Sequence, residues 1–326
     1  MPQTLRRGVV GALVERHPEL LRLEVDGAPA VAYPRLTGPV EPGDEVLVNT
    51  QARELGLGSG GFDVVVANLT RGLDLAAAPG AHVMTFPYAP PQAAASFAEE
   101  ARALPDSLEG LPVVCCGLHS QLVPVCAALA GRRVVVVQLG GGALPVSLSD
   151  AVRALRARGL LLTAIAVAPC CDGDLQCVTA ASALAVASSL AADAVVCCIG
   201  PGIVGTGSAL GHGGLAVADA ANAAAALGGR PIVAPRVSHA DRRARHRGLS
   251  HHTRAALQLC LGETVVAWPA GLERPEDVTV QEVDAGSWRD ACAGLPLEHM
   301  GRGPDDDPWF FAAAFAAGRL ARGLAG

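Results

Sequence analysis

The chain has 326 residues, 51% of them hydrophobic and only 3% aromatic, with a formal net charge of −6. That length suits one large domain with a smaller appendage, and the apolar fraction supplies a sizeable core. The negative charge and the scarcity of stacking side chains argue against nucleic-acid binding, and because all 25 basic residues are arginine, Schiff-base chemistry and a P-loop lysine are excluded.

Residues 1–80 open with short β-like runs, "RRGVVGALV", "LLRLEVDG", "APAVAYP", "PGDEVLVNT" and "FDVVVANL", separated by Gly, Pro and Asp. They predict a small antiparallel β-barrel-like or sandwich domain. "APPQAAASFAEEARAL" then predicts a helix entered through prolines. Beyond it strands and helices alternate. "LPVVCCGL" precedes "HSQLVPVCAALA"; "RRVVVVQL" precedes "SLSDAVRALRARG"; "LLTAIAVAP" precedes "DLQCVTAASALAVASSLA"; and "DAVVCCI" precedes "LAVADAANAAAALGG" before "RPIVAPRVS". The strand runs are continuously apolar, as in strands covered on both faces. The fold class is therefore α/β, a parallel three-layer α/β/α sheet over residues 81–326. "TRAALQLCLG" predicts a helix, "ETVVAWP" and "EDVTVQEVD" strands, and "DPWFFAAAFAAGRLARGLAG" a terminal amphipathic helix anchored by Trp309, Phe310 and Phe311.

The N-terminus shows no signal peptide, since Glu15 interrupts it before any apolar run develops. The ten cysteines are therefore expected to be reduced in a cytoplasmic setting. Three adjacent pairs, Cys115–Cys116, Cys170–Cys171 and Cys197–Cys198, belong to strand-like runs. Neighbouring strand residues face opposite ways and chelate poorly, so these thiols read as structural. "CVTAASALAVASSLAADAVVCCI" is long enough for a membrane span but carries Asp193 and many small residues, which fit a buried helix followed by a strand better. No membrane association is expected.

Ligands of parallel α/β sheets collect at the carboxyl ends of strands, and the glycine-rich and polar clusters fall there. "CIGPGIVGTGSALGHGG" holds seven glycines behind a strand. Gly200, Gly202 and Gly205 form a formal GxGxxG, yet Pro201 stiffens the turn and the next strand ends at Ser238 without the acidic residue of a dinucleotide site. A backbone nest for phosphate, carboxylate or sugar hydroxyls, made by Gly200, Gly202, Gly205 and Thr206, is the favoured reading. Close backbone packing without a ligand is the alternative. In "CCDGDLQC", Asp174 is either a helix N-cap or a general base, and with Asp172 it offers a Mg²⁺ site. "SHADRRARHRGLSHHT" sets Arg242, Arg243, Arg245 and Arg247 beside His239, His246, His251 and His252, with Ser250 placed as helix N-cap. His251 and His252, at a positive helix start, are expected to stay neutral as bases or metal ligands, while Arg245 and Arg247 suit an anion. His119 and Ser120 follow the first strand directly, as helix caps or as members of the ligand site. No GxSxG elbow or HExxH motif occurs.

"CGLHSQLVPV", "GGGALPVSLSD", "IGPGIVGTGSALGHGG", "RHRGLSHHT" and "HMGRGPDDDPWFF", in this order, resemble the DUF3866 family of bacterial proteins from about residue 5 to the C-terminus. The resemblance implies a complete chain and brings no substrate, cofactor or reaction. "CCDGDLQ" departs from the family's more glycine-rich form at that point, which weakens any role for Cys170 and Cys171.

The leading functional expectation is an enzyme that binds a small anionic or phosphorylated metabolite at its glycine-rich loops. His119, Asp174, His251 and His252 are its acid/base or metal candidates. Gly200, Gly202, Gly205, Thr206, Arg245, Arg247 and Ser250 are its ligand-binding residues. A non-enzymatic ligand-binding or regulatory protein is the alternative, and an NAD-linked oxidoreductase a further one. The cofactor and any metal are left unassigned, and homo-oligomerisation is compatible with the alanine-rich composition.

Overall fold

The computed structural model describes residues 3–56, 60–72, 75 and 79–325, and the chain divides into two compact units, Met1–Pro79 and Gly80–Gly326. In the first, β1 (Leu5–Arg16), β2 (Leu21–Val25), β3 (Ala28–Ala32), α1 (Pro34–Thr37), β4 (Glu45–Asn49), α2 (Gln51–Glu54) and β5 (Asp63–Asn68) form a closed barrel in the order β1-β2-β3-β5-β4. Period-two alternation buries Leu21, Leu23 and Val25 of β2, which join Val10, Val46, Val48 and Val65 in the barrel core. Asp26 and Gly27, both at positive φ, make the tight β2–β3 turn. The barrel is mixed rather than purely antiparallel: β3 and β5 pair in parallel because β4 intervenes between them in the chain and reverses its direction once more.

The second unit begins with a hairpin of β6 (Val83–Thr85) and β7 (Ala93–Ala95) and a 3₁₀ turn at Ala98–Ala101. The helix expected over "APPQAAASFAEEARAL" does not form. Its alanines pair with Val83–Thr85, and Glu99 accepts hydrogen bonds from the Val178 amide (2.8 Å) and Ser182 Oγ (3.0 Å). Tertiary pairing here overrides alanine's helix preference.

The sheet follows. In chain order it contains β8 (Pro112–Cys116), α3 (Leu122–Ala128), β9 (Val134–Leu139), α4 (Asp150–Ala157), β10 (Thr163–Val167), β11 (Leu175–Cys177), α5 (Ala180–Ser189), β12 (Ala194–Ile199), α6 (Ala216–Ala226) and β13 (Arg230–Ala234). After a small ladder of β14 (Val237–Ser238) with β15 (Gly248–Leu249) come α7 (His251–Gln258), β16 (Val265–Pro269), β17 (Gln281–Val283), α8 (Trp288–Ala291) and α9 (Pro308–Leu324). Eight parallel strands lie in the order β11-β10-β9-β12-β8-β13-β16-β17. One face is covered by α3, α4, α8 and α9, the other by α5, α6 and α7. This is the three-layer α/β/α arrangement. The expected "DLQC" helix start is instead strand β11, and α5 begins only after Thr179, whose side chain caps it.

Helix α9 is buried on nearly every side, not amphipathic: Phe310, Phe311 and the run Ala312–Gly318 are all inside. At Gly318 a Cβ would overlap the Val125 carbonyl of α3, so the small residues allow these two helices to cross closely. The membrane-length stretch is α5 followed by β12, and no described helix is long and apolar enough to cross a membrane.

Candidate functional site

Chain connections leave β8 and β9 toward the α3/α4 face but leave β12 and β13 toward the α6/α7 face. Since β12, β8 and β13 are neighbours, crevices open between their carboxyl ends. A small cleft lies there, lined by Gly117 and Gln121 after β8, Ala234 and Arg236 at the end of β13, and His252 and Thr253 of α7. Gln121, fully buried, holds the rim together: its amide nitrogen donates to the carbonyls of Ala234 (2.9 Å) and Pro235 (3.1 Å), and its oxygen accepts from the Leu118 amide (3.0 Å).

Glycines set the height of this rim. A Cβ on Gly141 or Gly213 would overlap the other residue's backbone, and one on Gly142 or Gly200 would overlap the carbonyls of Gly200 and Ala143 respectively. The loops after β9 and β12 thus pack backbone on backbone, which only glycine permits. Gly200 takes part in that backbone contact. The GxGxxG pattern does not open a helix either. The chain runs on through a bridge between Gly205 and His212 and a 3₁₀ turn at Gly213–Leu215 before α6 starts.

Four imidazoles gather beside the cleft. The β14–β15 ladder folds residues 237–249 into a hairpin and places His246 at its inner side, 1% exposed. Ser250 then caps α7, accepting from the His252 amide at 3.2 Å, which puts His251 and His252 in the first turn. Ser250 Oγ also bonds His246 Nδ1 at 2.7 Å. Ring centroids of His251 and His252 are 4.4 Å apart, each lies 4.8 Å from His246, and His212 of the glycine loop stacks on His252 at 3.6 Å. His246 Nε2, His251 Nε2 and both His212 ring nitrogens are buried without a hydrogen-bond partner. The nearest donor-rich group is Arg236, 4% exposed, whose Nη1 lies 3.4 Å from His252 Nδ1.

Burial, reinforced by neighbouring charge, keeps these rings neutral. Burial is the largest cause, and the guanidinium groups of Arg236 and Arg243 add to it, depressing His246 to about 3. His252 falls to about 2 through burial, His212 and Arg236. His251 is lowered by burial and then by Arg245, and His212 by burial and then by His251. The arginines are organised by Asp241, which accepts from Arg236 Nη2 (3.0 Å), Arg243 Nε (3.0 Å) and Arg243 Nη2 (2.9 Å). Burial works against the Asp241 anion, but the hydrogen bonds and charge of Arg243 and the charge of Arg236 outweigh it and hold the carboxyl well below its usual range. Burial in turn lowers Arg236 to about 10, with Asp241 opposing.

The segment before α9 completes the wall. Ser238 Oγ donates to Asp307 Oδ2 (2.5 Å), Arg302 Nε donates to the same oxygen (3.3 Å), and the His239 amide reaches Asp307 Oδ1 (3.2 Å). His299 stacks on Phe310 at 3.8 Å and meets Ser120 Oγ through Nδ1 at 3.1 Å. Burial, then Arg236 and Arg302, lower it to about 3.

The positions expected from sequence separate into groups. His251, His252 and Ser250 come together at the start of α7, where His252 lines the cleft. Arg245 and Arg247 lie exposed on the same hairpin, and Arg247 Nε donates to the Asp241 carbonyl (3.1 Å). Gly202, at positive φ, Gly205 and Thr206 belong to the outer glycine loop, where Thr206 bonds the Gly211 carbonyl through its amide (2.7 Å) and its hydroxyl (3.1 Å). His119 is not with the others: Nδ1 bonds the Ile199 carbonyl (3.0 Å) and Nε2 bonds Ser149 Oγ (2.7 Å), so both ring nitrogens pin neighbouring loops. Asp174 is at the opposite rim. It lies beside the start of β10, accepts from the Ala164 amide (2.8 Å) and is paired with Arg156 (2.7 Å). Sequence reasoning passed over His212, Arg236, Asp241, His299 and Arg302. The signals were a lone imidazole inside a glycine run and an arginine directly after a buried strand.

The fold and this cluster define a doubly wound α/β protein whose carboxyl-edge cleft is lined by His252 and the ion-paired Arg236, with further histidines packed behind His252. The chain belongs to the DUF3866 family, described as a protein of unknown function, whose match spans residues 29–318. No curated protein matches it.

Proposed function

We propose that the chain is an enzyme acting on a small anionic metabolite, a phosphorylated one being the class its arginines suit. The observation that carries this reading is Arg236: buried at the cleft, with Nε unpartnered, beside four unprotonated imidazoles. Arg236 would bind the anion, Arg245 and Arg247 would attract it at the exposed rim, and the Gly202–Thr206 loop would flank it. His251, half-buried and neutral, is the group suited to take a proton from the substrate. A bacterial, cytoplasmic setting suits ten unpaired thiols.

A second reading, a ligand sensor without turnover, draws support from His119 and Asp174 being engaged elsewhere. The test is a melting-temperature panel of inorganic phosphate, phosphorylated metabolites and NAD, followed by product analysis of every compound that binds. The enzyme reading expects a phosphorylated compound to raise the melting temperature, Arg236→Met to abolish that rise, and His251→Ala to retain binding while losing turnover. Binding without any product favours the sensor. A panel with no shift refutes both.

A further inference from the structure

We propose that His246, His251 and His252 form a three-imidazole site for a divalent transition-metal ion, with Zn²⁺ the species expected to fill it. The proposal rests on the anion-binding part of that reading, because a bound dication would add positive charge where the anion is to sit, and in the metal-bound chain it takes the Nε2 lone pair of His251 out of proton transfer. Three observations carry it. First, one ring nitrogen from each of the three histidines lies within 4.8 Å of the other two. A tetrahedral ion with Zn–N bonds of about 2.0–2.1 Å needs nitrogens about 3.3 Å apart, so modest torsional closure completes the set.

Second, the free atoms are the right ones. His246 Nε2 and His251 Nε2 are buried and lack any partner, a state that buried polar atoms rarely keep. Ser250 Oγ already accepts from the His252 amide, and as an acceptor for His246 Nδ1–H it leaves the lone pair on Nε2. That is the usual orienting arrangement for a ligating imidazole. His252 would surrender its long 3.4 Å contact with Arg236 and present its own lone pair.

Third, the charged neighbours of the rings narrow the choice of ion: Arg236 reaches His252 Nδ1, and Asp241 pairs with Arg236 and Arg243. Arg236, Arg243 and Arg245 repel a dication, and Asp241 offsets only part of their charge. The repulsion selects for an ion bound through strong nitrogen ligation, and against Mg²⁺ or Ca²⁺, which want oxygen. Three protein ligands leave a fourth position open to an oxygen of the anion or to water.

The test uses the full chain, stripped with a chelator and titrated with Co²⁺ as a spectroscopic stand-in for Zn²⁺. One equivalent should bind with the visible d–d absorption of a four- or five-coordinate ion. His251→Ala should weaken binding roughly 100-fold, Ser250→Ala roughly 10-fold or more, and His239→Ala should leave it unchanged. Absence of the band, or a band indifferent to His251→Ala, overturns the proposal. Phosphate titrated into the metal-free chain separates the two readings. Arg236-dependent phosphate binding without Co²⁺ binding retains the anion site and removes the metal. Stoichiometric Co²⁺ binding with no phosphate response retains the metal and removes the anion reading.

Discussion

Lowering the pH from 7 to 5 should destabilise the second unit steeply, well before its carboxylates titrate. His246 and His299 are 1% and 3% exposed and are each held at about 3, against about 6.5 in an unfolded chain. A folded-state value depressed below the unfolded one means that the unfolded chain takes up protons the fold refuses. The stabilisation is therefore complete above pH 6.5 and is lost as pH falls from 6.5 toward 3. Each group contributes about 1.4 kcal/mol per pH unit in that window, so the pair costs about 4 kcal/mol between pH 6.5 and 5. His252, His251 and His212 push in the same direction. His82, exposed beside Glu100 and bonded to the Gly80 carbonyl, is raised and has the opposite sign, its stabilisation being lost as pH rises. Asp241 enters only below about pH 4, where an unfolded Asp begins to protonate. The assay is urea unfolding followed by tryptophan fluorescence at both pH values; Trp268, Trp288 and Trp309 all lie in Gly80–Gly326, so the signal reports this unit alone. The unfolding free energy should fall by about 4 kcal/mol, and His299→Gln should remove about half of that loss. A change under about 1 kcal/mol, or greater stability at pH 5, refutes the account of the cluster as buried and neutral.

Three further outcomes are expected. Gly200→Ala forces a methyl into the Ala143 carbonyl and should cost about 1–3 kcal/mol in denaturant unfolding, whereas Gly207→Ala, with nothing within 4 Å of its Cβ, should change stability by under about 0.5 kcal/mol. Gln121→Leu leaves the Leu118 amide and the Ala234 and Pro235 carbonyls unpaired at the cleft and should cost about 2–3 kcal/mol by the same measurement, with weaker ligand binding. In a native thiol titration Cys260 should react while the other nine cysteines wait for unfolding, because burial raises most of them, Cys170 to about 11 and Cys171 to about 12.

The α/β class, the parallel sheet and most strand boundaries were legible in the sequence because continuous Val-, Cys- and Ile-rich runs of five or six residues bury on both faces in only one common architecture. Ser250 as a cap, and the histidines it introduces, were legible too, since capping is local chemistry. Strand order was not: β12 inserts between β9 and β8, and no local pattern specifies which neighbours a buried strand takes. That insertion decides which loops share a rim. It brings His212 onto His252 and Gly213 onto Gly141 and turns His119 into a brace between loops. Periodicity and capping are properties of short segments and travel with the sequence. A cleft is a relation among segments separated by tens to hundreds of residues, and only tertiary packing creates it.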